Sequence, residues 1–296
     1  MSKAGGIYKV FVGHKVLEAS LRGRFKQQHR QRILVGDRVV LLGHVDGGMT
    51  IEKIADRRSI LRRRAPGKTT GQREVAANLD RIVVVGSARN PTWNPHLIDR
   101  FLAVAEANEL ETLVVVNKCD LVSDAQELAN PYLAAEYPVV FTSVPEGDGV
   151  EELRARLEGR VSLFTGPTGV GKSSILNSLQ PGLRLRTAEV SAKSGAGRHT
   201  TVAAEMHRLG DSGFVVDTPG LRDIGLWGLD PDEVAAAFPE FYSLEGRCRF
   251  DNCRHLEEPG CKVLKAVEKG VLAKSRHTSY RQLLEEAYRA ARPWRY

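Results

Sequence analysis

Residues 166–173 read Gly-Pro-Thr-Gly-Val-Gly-Lys-Ser, the full G-x-x-x-x-G-K-[ST] pattern. No other stretch constrains the fold as tightly, because such a loop works only between a buried strand and the start of a helix. Both neighbours are in the sequence. Val161-Ser162-Leu163-Phe164 reads as a short buried strand, and Ser174-Ile175-Leu176-Asn177-Ser178-Leu179 as the first turns of a helix. The glycines let successive N–H groups face a phosphate chain, and the helix adds its positive end. Gly166, Pro167, Thr168, Gly169, Val170, Gly171, Lys172, Ser173 and Ser174 are therefore candidate phosphate-binding residues. Lys172 is expected at the β- and γ-phosphates and Ser173 at Mg²⁺. A chance glycine-rich turn would not come with both flanking elements.

The base is indicated by Asn117-Lys118-Cys119-Asp120, after the β-branched run Leu113-Val114-Val115-Val116. A carboxylate at Asp120 accepts from both the N1–H and the 2-amino group of guanine. Adenine offers neither, and an unpaired buried acceptor costs roughly 1–3 kcal/mol, more when charged. Asn117 is expected to bond the ring edge and brace the phosphate loop. Four polar residues after a strand are usually only a loop; beside a phosphate loop, N-K-x-D is specific.

Three further pieces fit the same site. Asp217-Thr218-Pro219-Gly220 follows the strand pattern Gly213-Phe214-Val215-Val216, so Asp217 can bind a Mg²⁺ water and the Gly220 N–H can meet the γ-phosphate. Gly197-Arg198-His199-Thr200-Thr201 offers Thr200 or Thr201 to complete the Mg²⁺ shell. Thr142-Ser143-Val144 follows Pro138-Val139-Val140-Phe141, and a backbone N–H of Ser143 or Val144 is expected at the guanine oxygen. Ordinary GTPases run phosphate loop, threonine, D-x-x-G, N-K-x-D, serine motif. Here the last two come first, so the chain is circularly permuted. A site built at the carboxyl ends of neighbouring strands tolerates that, since it needs the ends side by side in space.

Outside this core the charge is uneven. Residues 1–65 hold 15 Lys or Arg against 5 Asp or Glu, and the rest of the chain holds 28 against 31. Local excess of this kind marks a polyanion-binding surface more often than a solvated face. Four short strand patterns, 7–12, 16–21, 38–42 and 49–54, alternate with glycine turns, which fits a small barrel, of the OB type for nucleic acid. Residues 22–32 carry five positive charges and Phe25, a set suited to track a phosphate backbone and stack on a base. Arg57-Arg58 and Arg62-Arg63-Arg64 read as further RNA contacts rather than solubilising charges. Residues 65–75 read as a flexible linker, and strand–helix alternation from Arg81 to Gly220 predicts a mostly parallel sheet covered on both faces.

Beyond Gly220 the pattern changes. Residues 231–237 read as a short helix, followed by Cys248-x4-Cys253-x-His255-x5-Cys261. Three thiolates and one imidazole within so short a segment close a tetrahedral structural Zn²⁺ site and leave no open position for a catalytic water. Three reduced cysteines in a small core would not need that spacing around Glu257-Glu258-Pro259-Gly260. Helices are expected over 262–269, capped by Gly270, and 278–291. Residues 261–296 hold 9 Lys or Arg against 3 Glu. No stretch approaches the ~20 apolar residues of a membrane span, and the first residues lack a signal peptide's apolar core, so the expectation is a cytoplasmic protein without membrane contact.

A basic barrel, a permuted GTPase and a Cys-x4-Cys-x-His-x5-Cys module, in that order, resemble the ribosome-small-subunit-dependent GTPases of the RsgA/YjeQ type. The most specific marks are the motif order, Gly197-Arg198-His199-Thr200-Thr201 and the zinc spacing. The expected fold class is multi-domain: an N-terminal all-β OB-type barrel over 1–65, a central circularly permuted α/β P-loop GTPase domain over 66–225, and a C-terminal zinc-stapled helical module over 226–296. The resemblance implies a monomer that binds the small ribosomal subunit and its rRNA late in maturation, uses GTP with Mg²⁺, carries one structural Zn²⁺, and turns over slowly until the subunit stimulates it. A GTP-gated RNA-binding module with incidental hydrolysis is the alternative.

Ordinary GTPases often place a water-orienting glutamine after the D-x-x-G glycine. Here Leu221 stands there and can neither donate nor accept. His199 is the candidate catalytic replacement, because an imidazole can orient or accept from water near neutral pH.

Overall fold

The structure is a computed structural model that describes residues 3–4, 6–21, 32–45, 47–64, 72–180, 182–183, 205–217, 229–242, 244 and 248–291. His199, Thr200, Thr201, Gly220 and the basic loop 22–31 lie outside the described residues.

The central sheet holds six strands: β8 (Arg81–Ser87), β9 (Glu111–Asn117), β10 (Val139–Thr142), β11 (Val161–Thr165), β12 (Glu205–Leu209) and β13 (Gly213–Asp217). Their order is β10-β9-β8-β11-β13-β12, parallel except for the edge strand β12. The parallel strands read as continuous apolar runs because both faces are covered. Along each strand the faces alternate. Ile82, Val84, Val114, Leu163 and Val216 pack with Ile98, Phe101, Leu102 and Ala105 of α1 (Pro95–Ala107). Val83, Val85, Leu113, Val115, Phe164 and Val215 pack with Val150, Leu153 and Leu157 of α3 (Val150–Leu157) and Ile175, Leu176 and Leu179 of α4 (Lys172–Leu179). Each such Val or Leu contributes roughly 1.5–3 kcal/mol by leaving water. Helix α2 (Gln126–Leu133) precedes β10.

The chain up to Ile54 forms a separate sheet of β1 (Lys3–Ala4), β2 (Ile7–Val12), β3 (Lys15–Leu21), β4 (Val39–Gly43) and β5 (Met49–Ile54) in the order β1-β2-β3-β5-β4. The β3–β5 pair is parallel and the others antiparallel. Tyr8, Val10, Ala19 and Ile51 are its buried side.

Two expectations here are corrected. Residues 72–75 are not linker: β6 (Ile60–Arg64) pairs antiparallel with β7 (Gln72–Ala77), and Leu61 and Ala76 are buried in the central core. Arg57 is not an RNA contact but an internal clamp. Its guanidinium donates to Asp37 Oδ1 at 2.7 Å, Asp37 Oδ2 at 2.9 Å, Glu74 Oε2 at 2.9 Å and the Arg32 carbonyl at 2.7 Å. Arg58, by contrast, is exposed, with Asp80 at 3.2 Å.

The C-terminal part packs on the outer side of α1. Residues 231–237 form successive turns, with the Ala237 N–H on the Glu233 carbonyl at 3.2 Å, instead of the expected continuous helix, and Pro239–Tyr242 forms the short helix α5. Phe238 precedes Pro239, and a residue before proline disfavours the α region. Then follow the Cys/His segment, α6 (Lys262–Glu268) and α7 (Lys274–Ala291). Phe238, Phe241 and Tyr280 form one ring cluster, with centroids 5.1–5.5 Å apart, in a core that also takes in Ala103 of α1. Among the described residues no helix is long and apolar enough to cross a membrane.

Candidate functional site

The strand order reverses between β8 and β11, the place where open α/β sheets bind ligands at the strands' carboxyl ends. The register sets the ends of β8, β9 and β10 level, since Ser87 and Thr142 both pair with Asn117, whereas β11 and β13 stop earlier, Thr165 pairing with Val84 and Asp217 lying one residue beyond the pair Leu163–Val216. The phosphate loop sits on the reversal, between β11 and α4. Two of its glycines are required by packing. A Cβ on Gly166, at φ +139°, would lie 2.0 Å from the Val85 carbonyl oxygen; on Gly171, at φ +98°, it would lie 2.3 Å from Asn117 Nδ2. Val170 between them is buried and anchors the loop in the core.

N-K-x-D is bonded directly to this loop. Asn117 is buried; its Nδ2 donates to the Val170 carbonyl at 2.8 Å, and its Oδ1 accepts from Thr142 Oγ1 at 2.9 Å. Lys118 takes the left-handed backbone at φ +62° and sends Nζ to the Gly169 carbonyl at 2.8 Å and to the Asn90 carbonyl. The phosphate loop's own lysine, Lys172, donates to the Gly166 and Pro167 carbonyls at 2.7 and 2.6 Å. Ser173 and Ser174 lie half-buried in the first turn of α4.

Asp120, in a 3₁₀ turn over Cys119–Leu121, accepts from Ser143 Oγ at 2.7 Å. The carboxylate is thereby oriented by the serine motif 23 residues away. The Ser143 N–H is taken by the Asp148 carbonyl at 3.0 Å, whereas the Val144 N–H has no partner among the described residues.

Two contributors were not apparent from sequence. Thr142 holds Asn117, and its place at the end of β10, opposite Asn117, was the available signal. The segment after β8 is the other. The Ala88 N–H donates to the Asn117 carbonyl at 2.8 Å, Asn90 receives Lys118, and Pro91 lies beside Gly169.

The second site is the Cys/His segment. The ligand atoms of Cys248, Cys253, His255 and Cys261 lie within 4.8 Å of one another. His255 Nδ1 is 3.7 Å from Cys248 Sγ and 3.5 Å from Cys261 Sγ. His255 takes φ +58°, a strained conformation worth about 1–3 kcal/mol, and is buried against Phe241. Its carbonyl meets His277 Nε2 at 2.8 Å, and Tyr280 donates to the Arg254 carbonyl at 2.6 Å. Lys262 and Leu264 N–H groups point at Cys248 and Cys261 sulfur at 3.4 and 3.5 Å. Burial pushes the Cys253 thiol up to about 12, and the adjacent thiols add to this. Three sulfurs and one imidazole nitrogen gathered within 4.8 Å of one another fit a metal ion.

Glu258 shapes that loop. It accepts from the N–H groups of Arg254, Leu256 and Glu257 at 2.9, 2.8 and 3.1 Å. Burial opposes its charge, but the backbone donors outweigh it and lower the carboxyl from 4.5 to about 2. A lowered value means that its stabilisation is complete above pH about 4.5 and fades as pH falls towards about 2. Replacing Glu258 with Gln is expected to weaken metal affinity about tenfold, as loss of outer support typically does, read by competition with a chelator.

The family model described as RsgA GTPase matches residues 54–227. A small ribosomal subunit biogenesis GTPase RsgA of Gemmatimonas aurantiaca is 46% identical, covering 95% of this chain and 94% of the relative. The chain belongs to the RsgA GTPase family. An RsgA protein of Moorella thermoacetica is 42% identical over 97% of this chain and 95% of its own. Among solved RsgA-like structures, YjeQ from Thermotoga maritima superposes with a TM-score of 0.78 at 35% identity, covering 97% of this chain and 96% of that one. YloQ, described as a circularly permuted GTPase, gives 0.77 at 29% identity, with 100% and 95% covered.

Proposed function

We propose that this protein is a cytoplasmic, monomeric GTPase that binds the small ribosomal subunit late in its maturation and hydrolyses GTP to GDP and phosphate there, stimulated by the subunit. The observation that carries the guanine assignment is the direct bond from Asn117 to the phosphate loop, with Asp120 oriented by Ser143 beside it. The subunit is suggested by the names of the relatives and by the charge of residues 1–65. The order β1-β2-β3-β5-β4 with a parallel β3–β5 pair supports an OB-type barrel facing rRNA. The division into 1–65, 66–225 and 226–296 is retained, with the β6–β7 pair bridging the first two units.

In this reading the phosphate loop, Gly166 to Ser174, cradles the phosphates, and Lys172 exchanges its two loop carbonyls for phosphate oxygens. Lys118 braces the loop, and Asp120 and Val144 read guanine. Ser173 and either Thr200 or Thr201, as oxygen ligands, would hold Mg²⁺, with Asp217 on a Mg²⁺ water; bound with GTP, the ion would neutralise charge on the β- and γ-phosphates. The Gly220 N–H meets the γ-phosphate. At the second site, a tetrahedral ion with Zn–S of about 2.3 Å and Zn–N of about 2.0–2.1 Å separates sulfur from nitrogen by about 3.5 Å. The observed 3.5 and 3.7 Å fit a structural Zn²⁺ held by Cys248, Cys253, His255 and Cys261.

With Leu221 unable to orient water, His199 takes that role as the catalytic residue. Replacing His199 with Ala is expected to lower subunit-stimulated turnover by about 10²-fold or more, the scale of general acid–base catalysis, while GTP affinity changes little. Single-turnover hydrolysis alongside equilibrium GTP binding tests this. Unchanged stimulated turnover would remove His199 from the mechanism.

A further inference from the structure

The N-terminal sheet touches the central sheet at the hairpin of β12 and β13. Phe11 of β2 meets Phe214 of β13 edge to face, with ring centroids 5.3 Å apart. Arg208 of β12 donates to the Gly13 carbonyl, in the β2–β3 turn, at 2.8 Å. Arg208 and Phe214 are directly opposed in the β12–β13 ladder, so both lie on one face. The same guanidinium also ties the turn of its own hairpin, through the Gly210 carbonyl at 3.2 Å and the Asp211 carbonyl. That end is pinned again where the Phe214 N–H meets the Arg160 carbonyl at 2.9 Å and the Gly210 N–H meets Gln180, the cap of α4, at 3.3 Å.

The other end of the hairpin leads to the chemistry. Glu205 pairs with Asp217. In the sequence Glu205 follows closely on Thr201, and Asp217 opens D-x-x-G. One short ladder, roughly 17 Å long, therefore carries the contact with the N-terminal sheet at one end and, at the other, Glu205 and Asp217, close in sequence to the segments assigned above to Mg²⁺ and the γ-phosphate.

We propose that this contact passes engagement of the N-terminal sheet by RNA to Glu205 and Asp217 at the far end of the ladder, making Phe11 and Arg208 positioning residues for stimulated hydrolysis. The inference rests on the subunit-stimulated reading above. β12 is the edge strand and is held to β13 in one unbroken register from Arg208–Phe214 to Glu205–Asp217, so a change at the contact is carried along that ladder. The contact is small, so the coupling belongs at the scale of about tenfold.

GTP turnover alone and at saturating small subunits, GTP affinity and subunit affinity would be measured for the wild type, Phe11→Ala, Arg208→Gln, and the conservative Phe11→Tyr and Arg208→Lys. The Ala and Gln variants are expected to keep basal turnover and both affinities within about twofold and to lose about tenfold of the stimulated rate. The conservative variants are expected to restore most of it. Full stimulation at saturation, or a loss confined to subunit affinity, would overturn the proposal. In the wild type, subunit binding should also change hydrogen exchange at 205–217; unchanged exchange there overturns it without any variant. A wild type that binds GTP but is never stimulated would overturn the functional reading itself, and this inference with it.

Discussion

Replacing Asp120 with Asn is expected to lower GTP affinity a few hundredfold or more and to make xanthosine triphosphate the better ligand. In the proposed guanine site the carboxylate would accept two N–H bonds from the base, and Ser143 Oγ donates to it at 2.7 Å. Losing both charge-assisted bonds costs roughly 3–5 kcal/mol. The amide also turns an N–H towards the guanine 2-amino group, donor against donor. Xanthine carries an oxygen at that position, which the new N–H satisfies. Competition between the two triphosphates for wild type and variant gives the result directly. Equal loss for both ligands would mean that Asp120 only supports the fold.

The second large effect is on stability. Arg276 of α7 is fully buried. Its Nη1 donates to Asp99 of α1 at 2.7 Å, and its Nε and Nη2 donate to Glu240 of α5 at 2.7 and 3.0 Å. The guanidinium also lies 4.5 Å from the centre of the Phe238 ring. Burial opposes its charge, but the two carboxylates outweigh that and hold it protonated. Replacing Arg276 with Met keeps the apolar contacts and leaves two buried carboxylates without their cation. Breaking such a group from one side costs about 3–5 kcal/mol. Denaturant unfolding is expected to show that loss, concentrated in the C-terminal helices. Changing Asp99 and Glu240 to Asn and Gln in the same variant should recover part of it. A variant as stable as the wild type would mean that the carboxylates find other partners.

Much of the site was legible because its parts are local. The phosphate loop lies between its own strand and helix, and N-K-x-D ends a strand whose apolar run has no polar break. The Cys/His segment runs only from Cys248 to Cys261, so spacing alone brought its ligands together. What was missed depends on distant partners. Arg57 read as a surface charge because Asp37 and Glu74 are 20 and 17 residues away. Strand β7 was hidden for the same reason, since Glu74 interrupts its pattern and is explained by Arg57. Strand β12, Glu-Met-His-Arg-Leu, lies at a sheet edge and has no apolar run to mark it. Arg276 belonged to a basic-looking end, and nothing near it in sequence announced Asp99, 177 residues away. The helix expected at 231–237 appears as turns that stop at Phe238, the residue before Pro239, where the α region is disfavoured.

The most direct measurement is GTP turnover by the purified protein, alone and with purified small or large ribosomal subunits. Turnover is expected to be slow alone, to rise by orders of magnitude with small subunits, and to stay at the basal level with large ones. Intact GTP binding with no rise on adding small subunits would contradict the assignment and leave a GTP-gated RNA-binding protein in its place.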